Sequence, residues 1–259
     1  MTVTPPGSTS GRAHVRTWQE GPAGYVQLDR PEKANAYTEP MLEALRENVE
    51  RMAADPEVRV IVFCGAGDRV FSGGADLGEV GGRDWRAALT LKSAEVFSAI
   101  SRCRCVTLAA VNGAAAAGGL ELALSCDIRI AAQNARFWFP EPRLGLIPAG
   151  GGTQRLAEVV GKARAKELIL GGAVWDADDA LRFGLVSEVV APETLLPRAQ
   201  HWAERIATRD PLALQLAKEA IDAADRHGPG HALERVAQAL LYQLRLEENP
   251  PKDCGDEKP

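Results

Sequence analysis

The sequence has no run of lysine or arginine, and its 259 residues carry a formal net charge of -5. Proteins that hold nucleic acid or an anionic membrane surface by broad electrostatics present a concentrated basic face. The composition therefore excludes that class of partner and leaves a small molecule open. With 46% hydrophobic residues, the chain is long enough to bury a large core.

Cysteine and histidine are few and scattered. The five cysteines are an odd number, and the first residues lack the basic and apolar regions of a secretory signal. We therefore expect reduced thiols in the cytoplasm. Cys103 and Cys105 form a Cys-x-Cys pair, but no second Cys/His group stands at zinc-binding spacing, so we predict buried thiols and no metal.

Membrane-spanning and nucleotide-binding patterns are also missing. The most apolar stretch, residues 105–126, contains Asn-Gly and Gly-Gly pairs and an ionisable glutamate, which predicts a buried strand, turn and helix. No Gly-x-Gly-x-x-Gly follows the first predicted strand, Gly161-Lys162 lacks the earlier glycine of a P-loop, and there is no Gly-x-Ser-x-Gly. Dinucleotide, nucleoside triphosphate and serine-nucleophile chemistry are therefore disfavoured.

Hydrophobic periodicity predicts an α/β chain with a strand-rich first half and a helical second half. Short β-branched runs predict strands at 25–28, 58–63, 106–111 and 128–132, and helical spacing predicts a helix at 38–54 with Thr38 as its N-cap. Further helices are predicted at 120–125, 153–160, 163–170, 176–183, 195–207, 211–224 and 231–246. The polar termini, residues 1–12 and 247–259, predict disordered or flexible tails.

Two glycine-rich segments favour the binding of an oxyanion by backbone amides. Residues 71–77 (FSGGADL) contain glycines that let a ligand approach the amide of Ala75. Residues 117–123 (AGGLELA) begin a predicted helix, so the amide of Gly118 has no intrahelical partner and lies at the positive end of the helix dipole. Two such amides on one carbonyl oxygen would stabilise an enolate or a tetrahedral oxyanion.

Two glutamates stand beside these features. Glu121 follows Gly118 by three residues, which places it on the same face of the predicted helix. Glu141 stands between Pro140 and Pro142, which predicts an extended, stiff loop that presents the carboxylate. Taken singly, each feature also fits an ordinary turn, a paired carboxylate or a surface carboxylate. Their joint occurrence indicates acyl chemistry.

Together these motifs resemble the enoyl-CoA hydratase/isomerase (crotonase) superfamily in order and spacing. The resemblance extends from about residue 30 to about residue 190, with weaker similarity at 218–220. It rests on residues 30–36 (RPEKANA), 71–77, 111–113, 118–123, 126–127, 140–141, 144–145, 147–148, 150–156 (GGGTQRL) and 184–186. It implies a crotonase-like spiral of β-β-α units at 13–195, with a helical C-terminal trimerisation segment at 196–246. A homotrimer or a dimer of trimers is implied as well.

The resemblance also assigns the site. It places a thioester carbonyl between the amides of Ala75 and Gly118, and two hydratase carboxylates at Glu121 and Glu141, twenty residues apart. The amide of Ala149 would help to hold the water. No cofactor is expected, since coenzyme A is part of the substrate. The remaining predicted contacts to the substrate or its coenzyme A portion are Lys33, Ala34, Ala36, Gly73, Gly74, Asp76 and Leu77.

The sequence thus predicts an enoyl-CoA hydratase or dehydratase of fatty acid metabolism, a lyase of the EC 4.2.1 class. Adding water to an α,β-unsaturated thioester needs a base, an acid and a site for negative charge on the thioester oxygen. An isomerase, hydrolase or decarboxylase of the same fold, or a non-catalytic scaffold, stays an alternative. The acyl group, the direction of reaction and the glutamate that carries the proton are left open.

Four departures from the family pattern concern the pocket. Ala117 and Ala149 replace glycines that are common in hydratases. Tyr37 and Trp138 add aromatic groups that would either reshape the acyl pocket or pack in the core. Residues 244–259 lack the acidic-glycine motif and the basic ending usual in the family.

Overall fold

The computed structural model describes residues 12–80, 89–223 and 236, in two compact units that divide after Thr208. The predicted tails, apart from Arg12, lie outside the described residues. So does the predicted helix 231–246, apart from residue 236. The predicted domain division and the trimerisation role of residues 196–246 stay predictions.

Most of the α-helices agree with the hydrophobic pattern, but the helices Leu77–Val80 and Lys92–Ser101 were not predicted. The predicted helix at 195–207 is confirmed to the residue, whereas the pieces predicted at 153–160 and 163–170 form one element that is broken at Gly161 (φ 78°, ψ 155°). Within the described ranges the helices are α1 (Glu39–Ala54), α2 (Leu77–Val80), α3 (Lys92–Ser101), α4 (Gly118–Leu124), α5 (Gly152–Ile169), α6 (Ala177–Arg182), α7 (Leu195–Ala207) and, in the second unit, α8 (Pro211–Asp222).

The strands were harder to predict. Those at 106–111 and 128–132 are confirmed, but several of the missed strands have only two or three residues, too few for an alternating pattern to be seen. The strands are β1 (Val15–Glu20), β2 (Ala23–Leu28), β3 (Val60–Gly65), β4 (Val70–Ser72), β5 (Val106–Val111), β6 (Ala114–Ala116), β7 (Ile128–Ala132), β8 (Arg136–Trp138), β9 (Trp175–Asp176) and β10 (Glu188–Val190).

These strands form two sheets, and the chain alternates between them. One sheet has the order β1-β2-β3-β5-β7-β10 and the other β4-β6-β8-β9. Along the chain, β3, β5 and β7 join the first sheet, and each is followed by β4, β6 or β8 of the second. This is the spiral of β-β-α units that the resemblance implied. The second half is not purely helical, because β9 and β10 complete both sheets.

Three neighbouring parallel strands of the smaller sheet position the two glycine-rich segments and the segment of Glu141. β4 pairs with β6, and β6 pairs with β8, all in parallel. Parallel strands end at the same edge of a sheet, and ligands of open α/β sheets lie at the carboxyl ends of the strands. The segments that follow these strands, from residues 73, 117 and 139 onward, are therefore brought together at one edge.

The core lies between the sheets and their covering helices. The apolar stripe predicted on α1 is confirmed, and α7 packs across the larger sheet. Cys64, Cys103, Cys105 and Cys126 are buried thiols, while Cys254 lies outside the described residues. Within the part of the chain that the structure describes, no helix combines the length and the apolar character needed to cross a membrane.

Asn35 ties two loops of the core together. Its side chain is fully buried, accepts a hydrogen bond from the amide of Arg30 and donates to the carbonyls of Ala66 and Val70. The backbone of Asn35 has φ of 50°, which asparagine tolerates better than most residues. This side chain therefore fixes the loop of residues 30–37 against the start of β4.

We expect Asn35→Ala to lower the free energy of unfolding by about 3 kcal/mol, because buried backbone groups lose their partners. Urea unfolding monitored by circular dichroism measures the change. Gln154→Ala, at an exposed position of α5, serves as the control and is expected to stay within about 0.5 kcal/mol of the parent. Equal stability of the two variants would contradict the role of Asn35.

Candidate active site

The loop after β4 exposes the amide of Ala75. Ala75 pairs with Tyr37 in an isolated parallel bridge. The backbone amide of Tyr37 donates to the carbonyl of Gly74 at 2.8 Å, and the backbone carbonyl of Tyr37 accepts from the amide of Asp76 at 2.9 Å. In a parallel bridge of this kind, the bonded groups belong to the neighbours of Ala75, so its own N–H points away from Tyr37. Among the described residues, no acceptor is paired with that N–H.

The amide of Gly118 lies at the start of α4, directly after β6. Gly118 is the first residue of the helix and is buried, and its N–H precedes the first intrahelical bonds. A Cβ placed on Gly118 would overlap the hydroxyl end of the Tyr37 side chain, so a larger residue fits there only if Tyr37 moves. The helix begins two residues before the predicted position, which brings this amide into its first turn.

The loops that carry these two amides touch each other. A Cβ placed on Gly74 would lie 2.9 Å from the nitrogen of Gly118, and Gly74 has φ of 97°, which favours glycine. The amide of Ala75, the next residue, is therefore close to the amide of Gly118. Unpaired amides of this kind form a site for a developing oxyanion.

Ala117 holds an unusual backbone conformation before α4. Its φ is 51° and its ψ is -130°, a region that residues with a Cβ rarely occupy. Its amide donates to the carbonyl of Trp138 at 3.1 Å, which links the loop to β8. The alanine that departs from the family pattern therefore lies at a strained position beside the two amides.

Glu121 is held by a turn that is distant in sequence. The side chain is only 4% exposed, and its Oε1 accepts hydrogen bonds from the amides of Gly150 at 2.7 Å and Gly152 at 2.8 Å. Burial raises the pKa of this carboxyl, while the two amides and the charge of Arg155 act in the opposite direction. Glu121 is thus a buried carboxyl whose Oε1 accepts hydrogen bonds from two backbone amides.

Glu141 has a different environment. Among the described residues, its Oε2 is buried without a hydrogen-bond partner. Burial and, to a smaller extent, the charge of Glu121 raise the pKa of its carboxyl from 4.5 to about 7, against the lowering effect of its own amide. The extended loop predicted for Glu141 is wrong: the residue begins a 3-10 helix, Glu141–Leu144, because Pro142 is tolerated in a first turn.

The predicted substrate contacts lie in two joined segments. Arg30 donates to the carbonyl of Ala36 and forms an ion pair with Asp76 at 3.0 Å, and the amide of Gly73 donates to the carbonyl of Ala34. Lys33 and Leu77 are exposed. The structure therefore brings these residues side by side, although Asp76 is already engaged by Arg30.

Sequence reasoning assigned the water-holding amide to Ala149, which is exposed and adjacent to the turn. The amides that bind Glu121 belong to Gly150 and Gly152, to which no role was assigned. Their signal was present as the Gly-Gly-Gly run before α5. A run of glycines does not reveal which distant side chain its amides will bind.

Comparison with known proteins identifies the family of the chain. Residues 20–248 match the family model described as enoyl-CoA hydratase/isomerase. The short-chain-enoyl-CoA hydratase of Clostridium acetobutylicum is 39% identical over 210 residues, covering 79% of each chain. The crotonyl-CoA hydratase of Syntrophomonas wolfei is 40% identical over 201 residues, covering 75% of this chain and 76% of the relative.

A solved structure of an enoyl-CoA hydratase subunit from Geobacillus kaustophilus has a TM-score of 0.87 and 37% identity, covering 92% of this chain and 93% of that one. The two-sheet spiral and its paired amides define a protein of the crotonase fold. The chain belongs to the enoyl-CoA hydratase/isomerase family, as its motifs predicted.

The raised pKa of Glu141 predicts a pH-dependent stability. The protonated carboxyl is favoured in the fold, so its contribution is fully present below pH 4.5 and is lost as the pH rises toward about 7. Between these values, we expect the parent to lose about 1 to 2 kcal/mol relative to Glu141→Gln, a range reduced for partial solvent exposure.

Urea unfolding at pH 4.5, 6 and 8 measures this difference between the parent and Glu141→Gln. The exposed Glu193→Gln is the control and should show no such trend. A constant difference between Glu141→Gln and the parent across the three pH values would refute the raised pKa.

Proposed function

We propose that the protein adds water across the α,β double bond of an enoyl-CoA thioester and catalyses the reverse dehydration. The observation that carries this proposal is the pairing of two carboxyls, Glu121 and Glu141, with two unpaired amides. The names of the relatives in Clostridium and Syntrophomonas support the same activity. The acyl-CoA thioester is the substrate class that follows.

In this proposal, Ala75 and Gly118 donate to the thioester oxygen. The substrate carbonyl would lie where their N–H groups converge. As water attacks the β-carbon, negative charge develops on that oxygen as an enolate. Loss of one such donor has cost about 3 to 4 kcal/mol of transition-state stabilisation in measured cases. This charge is what a hydratase and its sibling enzymes must stabilise.

The environments of the two carboxyls separate their roles. Glu121 accepts two amide hydrogen bonds, which favour the ionised form, whereas Glu141 has an unpartnered oxygen and a pKa of about 7. Glu121 is therefore assigned as the base that removes a proton from water. Glu141 is assigned as the acid that delivers a proton to the α-carbon.

The atoms balance with no further reagent. The oxygen of water bonds to the β-carbon, the alkene electron pair moves to the thioester as an enolate, and the α-carbon then takes the proton of Glu141. Glu121 ends protonated and Glu141 ionised, so one proton must pass between them or through solvent before the next cycle. In reverse, the same groups remove water.

The coenzyme A portion is proposed to lie along the two joined segments described above. Lys33 would meet phosphate, and the loop of Gly73 and Gly74 would run beside the pantetheine. No cofactor beyond the coenzyme A of the substrate is proposed. The amide of Ala149 is proposed to contact the water from its position beside the Glu121 turn. The cytoplasmic location stays a prediction.

Purified protein should consume crotonyl-CoA, measured as the loss of the enoyl absorbance. Glu121→Gln and Glu141→Gln should each lower kcat at least about 100-fold, because each removes a proton-transfer group. The exposed Glu193→Gln is the charge-matched control and should keep the parent rate. Far-ultraviolet circular dichroism shows whether each variant is folded.

Three other outcomes would assign a sibling activity. Unchanged enoyl absorbance with conversion of a 3-enoyl-CoA to its 2-enoyl isomer would identify an isomerase. Release of free thiol from an acyl-CoA would identify a hydrolase, and release of carbon dioxide from a carboxyacyl-CoA would identify a decarboxylase.

A homotrimer or a dimer of trimers is proposed as the assembly. Leu144, Leu146 and Ile147 form an apolar surface next to Glu141 and are 60%, 48% and 70% exposed. Clustered exposed apolar side chains are typical of a surface that is covered by another chain. Such a cover would also restrict the entry of water beside Glu141.

Light scattering coupled to gel filtration should give three or six times the 27.7 kDa mass of one chain. The double change Leu146→Lys and Ile147→Lys should lower that mass, because burying two charges is costly. A single-chain mass for the parent at micromolar concentration would contradict this assembly.

A further inference from the structure

Arg155 occupies an unfavourable position for a cation. It lies in the first turn of α5 and is only partly exposed. The positive end of a helix dipole disfavours a cation there, and burial lowers the pKa of its guanidinium. A cation kept in such a place needs a compensating interaction.

The direct partners of Arg155 are neutral. Its Nη1 donates to the carbonyl of Gly150 at 2.9 Å, and its Nη2 lies 3.4 Å from the hydroxyl of Ser98 on α3. The salt bridges found within the described residues do not include it. Among the charges around it, that of Glu121 stabilises the guanidinium most.

Gly150 connects the two charged groups. Its carbonyl accepts from Arg155 and its amide donates to Glu121, so one glycine is held from both sides. Gly152, two residues on, donates to the same carboxylate oxygen. Movement of Arg155 would therefore move the turn that binds the carboxylate.

Other titratable groups surround this pair on several elements. Glu141 lies on the 3-10 helix, and the charge of Glu121 raises the pKa of its carboxyl. Three further groups affect the pKa of the Arg155 guanidinium more weakly than Glu121 does. They are Glu158 on α5, the Cys126 thiol after α4 and Arg102 after α3. Arg155 is the one cation among the described residues that lowers the pKa of Glu121.

We propose that Arg155 is a positioning residue for Glu121: through Gly150 it holds the turn that binds the carboxylate, and it adds a positive charge to the surroundings of that carboxylate. The inference rests on the proposed role of Glu121 as the base. It assigns to Arg155, at the start of α5, a part in catalysis without contact with the substrate.

Arg155→Met, Arg155→Lys and the charge-matched control Lys162→Met, on the exposed surface of α5, test the proposal with crotonyl-CoA. We expect Arg155→Met to lower kcat about 10-fold or more, with KM changed less than about threefold, and to move the acidic limb of kcat/KM up by about one pH unit. Arg155→Lys should keep the limb near that of the parent. Lys162→Met should match the parent.

A second measurement is independent of activity. Arg155→Met is introduced into the parent and into Glu121→Gln. At pH 8 it should lower the urea midpoint more in the parent, because Glu121→Gln has no carboxylate for Arg155 to stabilise. At pH 4, where a carboxyl with raised pKa is protonated, the two losses should be equal. Arg155→Gln, which keeps a hydrogen-bond donor without charge, replaces Arg155→Met if the methionine variant does not fold.

Equal losses of kcat in Arg155→Met and Arg155→Lys, with the acidic limb unmoved, would assign Arg155 a merely structural role. Equal midpoint losses in both backgrounds at pH 8 would also overturn the inference. Failure of the parent to hydrate any enoyl-CoA would instead overturn the proposed function, while the unfolding measurements would still decide the coupling between Arg155 and Glu121.

Discussion

The parallel pairing of β4, β6 and β8 is the constraint on which the site depends. These strands have three residues each, yet their alignment places the loop of Ala75, the first turn of α4 and the 3-10 helix of Glu141 at one edge. Most residues of β2, β3, β5 and β7 in the larger sheet are buried. The site is thus built from loops that follow the strands of a sheet, which gives the two amides defined positions.

The two glutamates share burial but differ in their hydrogen-bond partners. Both carboxyls are taken from water, which raises both pKa values, but only Glu121 receives the amides of Gly150 and Gly152. The difference follows from the donors available, since a carboxylate that accepts amide hydrogen bonds tolerates its charge. Arg155 extends this arrangement to the carbonyl side of Gly150. The turn before and at the start of α5 therefore influences the ionisation of Glu121 on α4.

The sequence predicted those features whose cause is local. The apolar stripe of α1, the strands β5 and β7 and the bounds of α7 follow from side-chain periodicity, and the broken α5 follows from Gly161. The family motifs also gave the fold, which the two sheets confirm. The short strands were missed because two or three residues carry no period. The extended conformation at Glu141 was wrong because its neighbouring prolines also fit the first turn of a 3-10 helix.

Residue chemistry and local conformation were determined by the sequence alone: two glutamates twenty residues apart, glycines where backbones must approach, and an amide at the start of a helix. The tertiary structure decided which groups meet. The amides that bind Glu121 are 29 and 31 residues away along the chain, and Asn35 reaches carbonyls 31 and 35 residues away. Hydrogen bonding and desolvation act through space, so the different surroundings of Glu121 and Glu141 exist only once the sheets have brought these segments together.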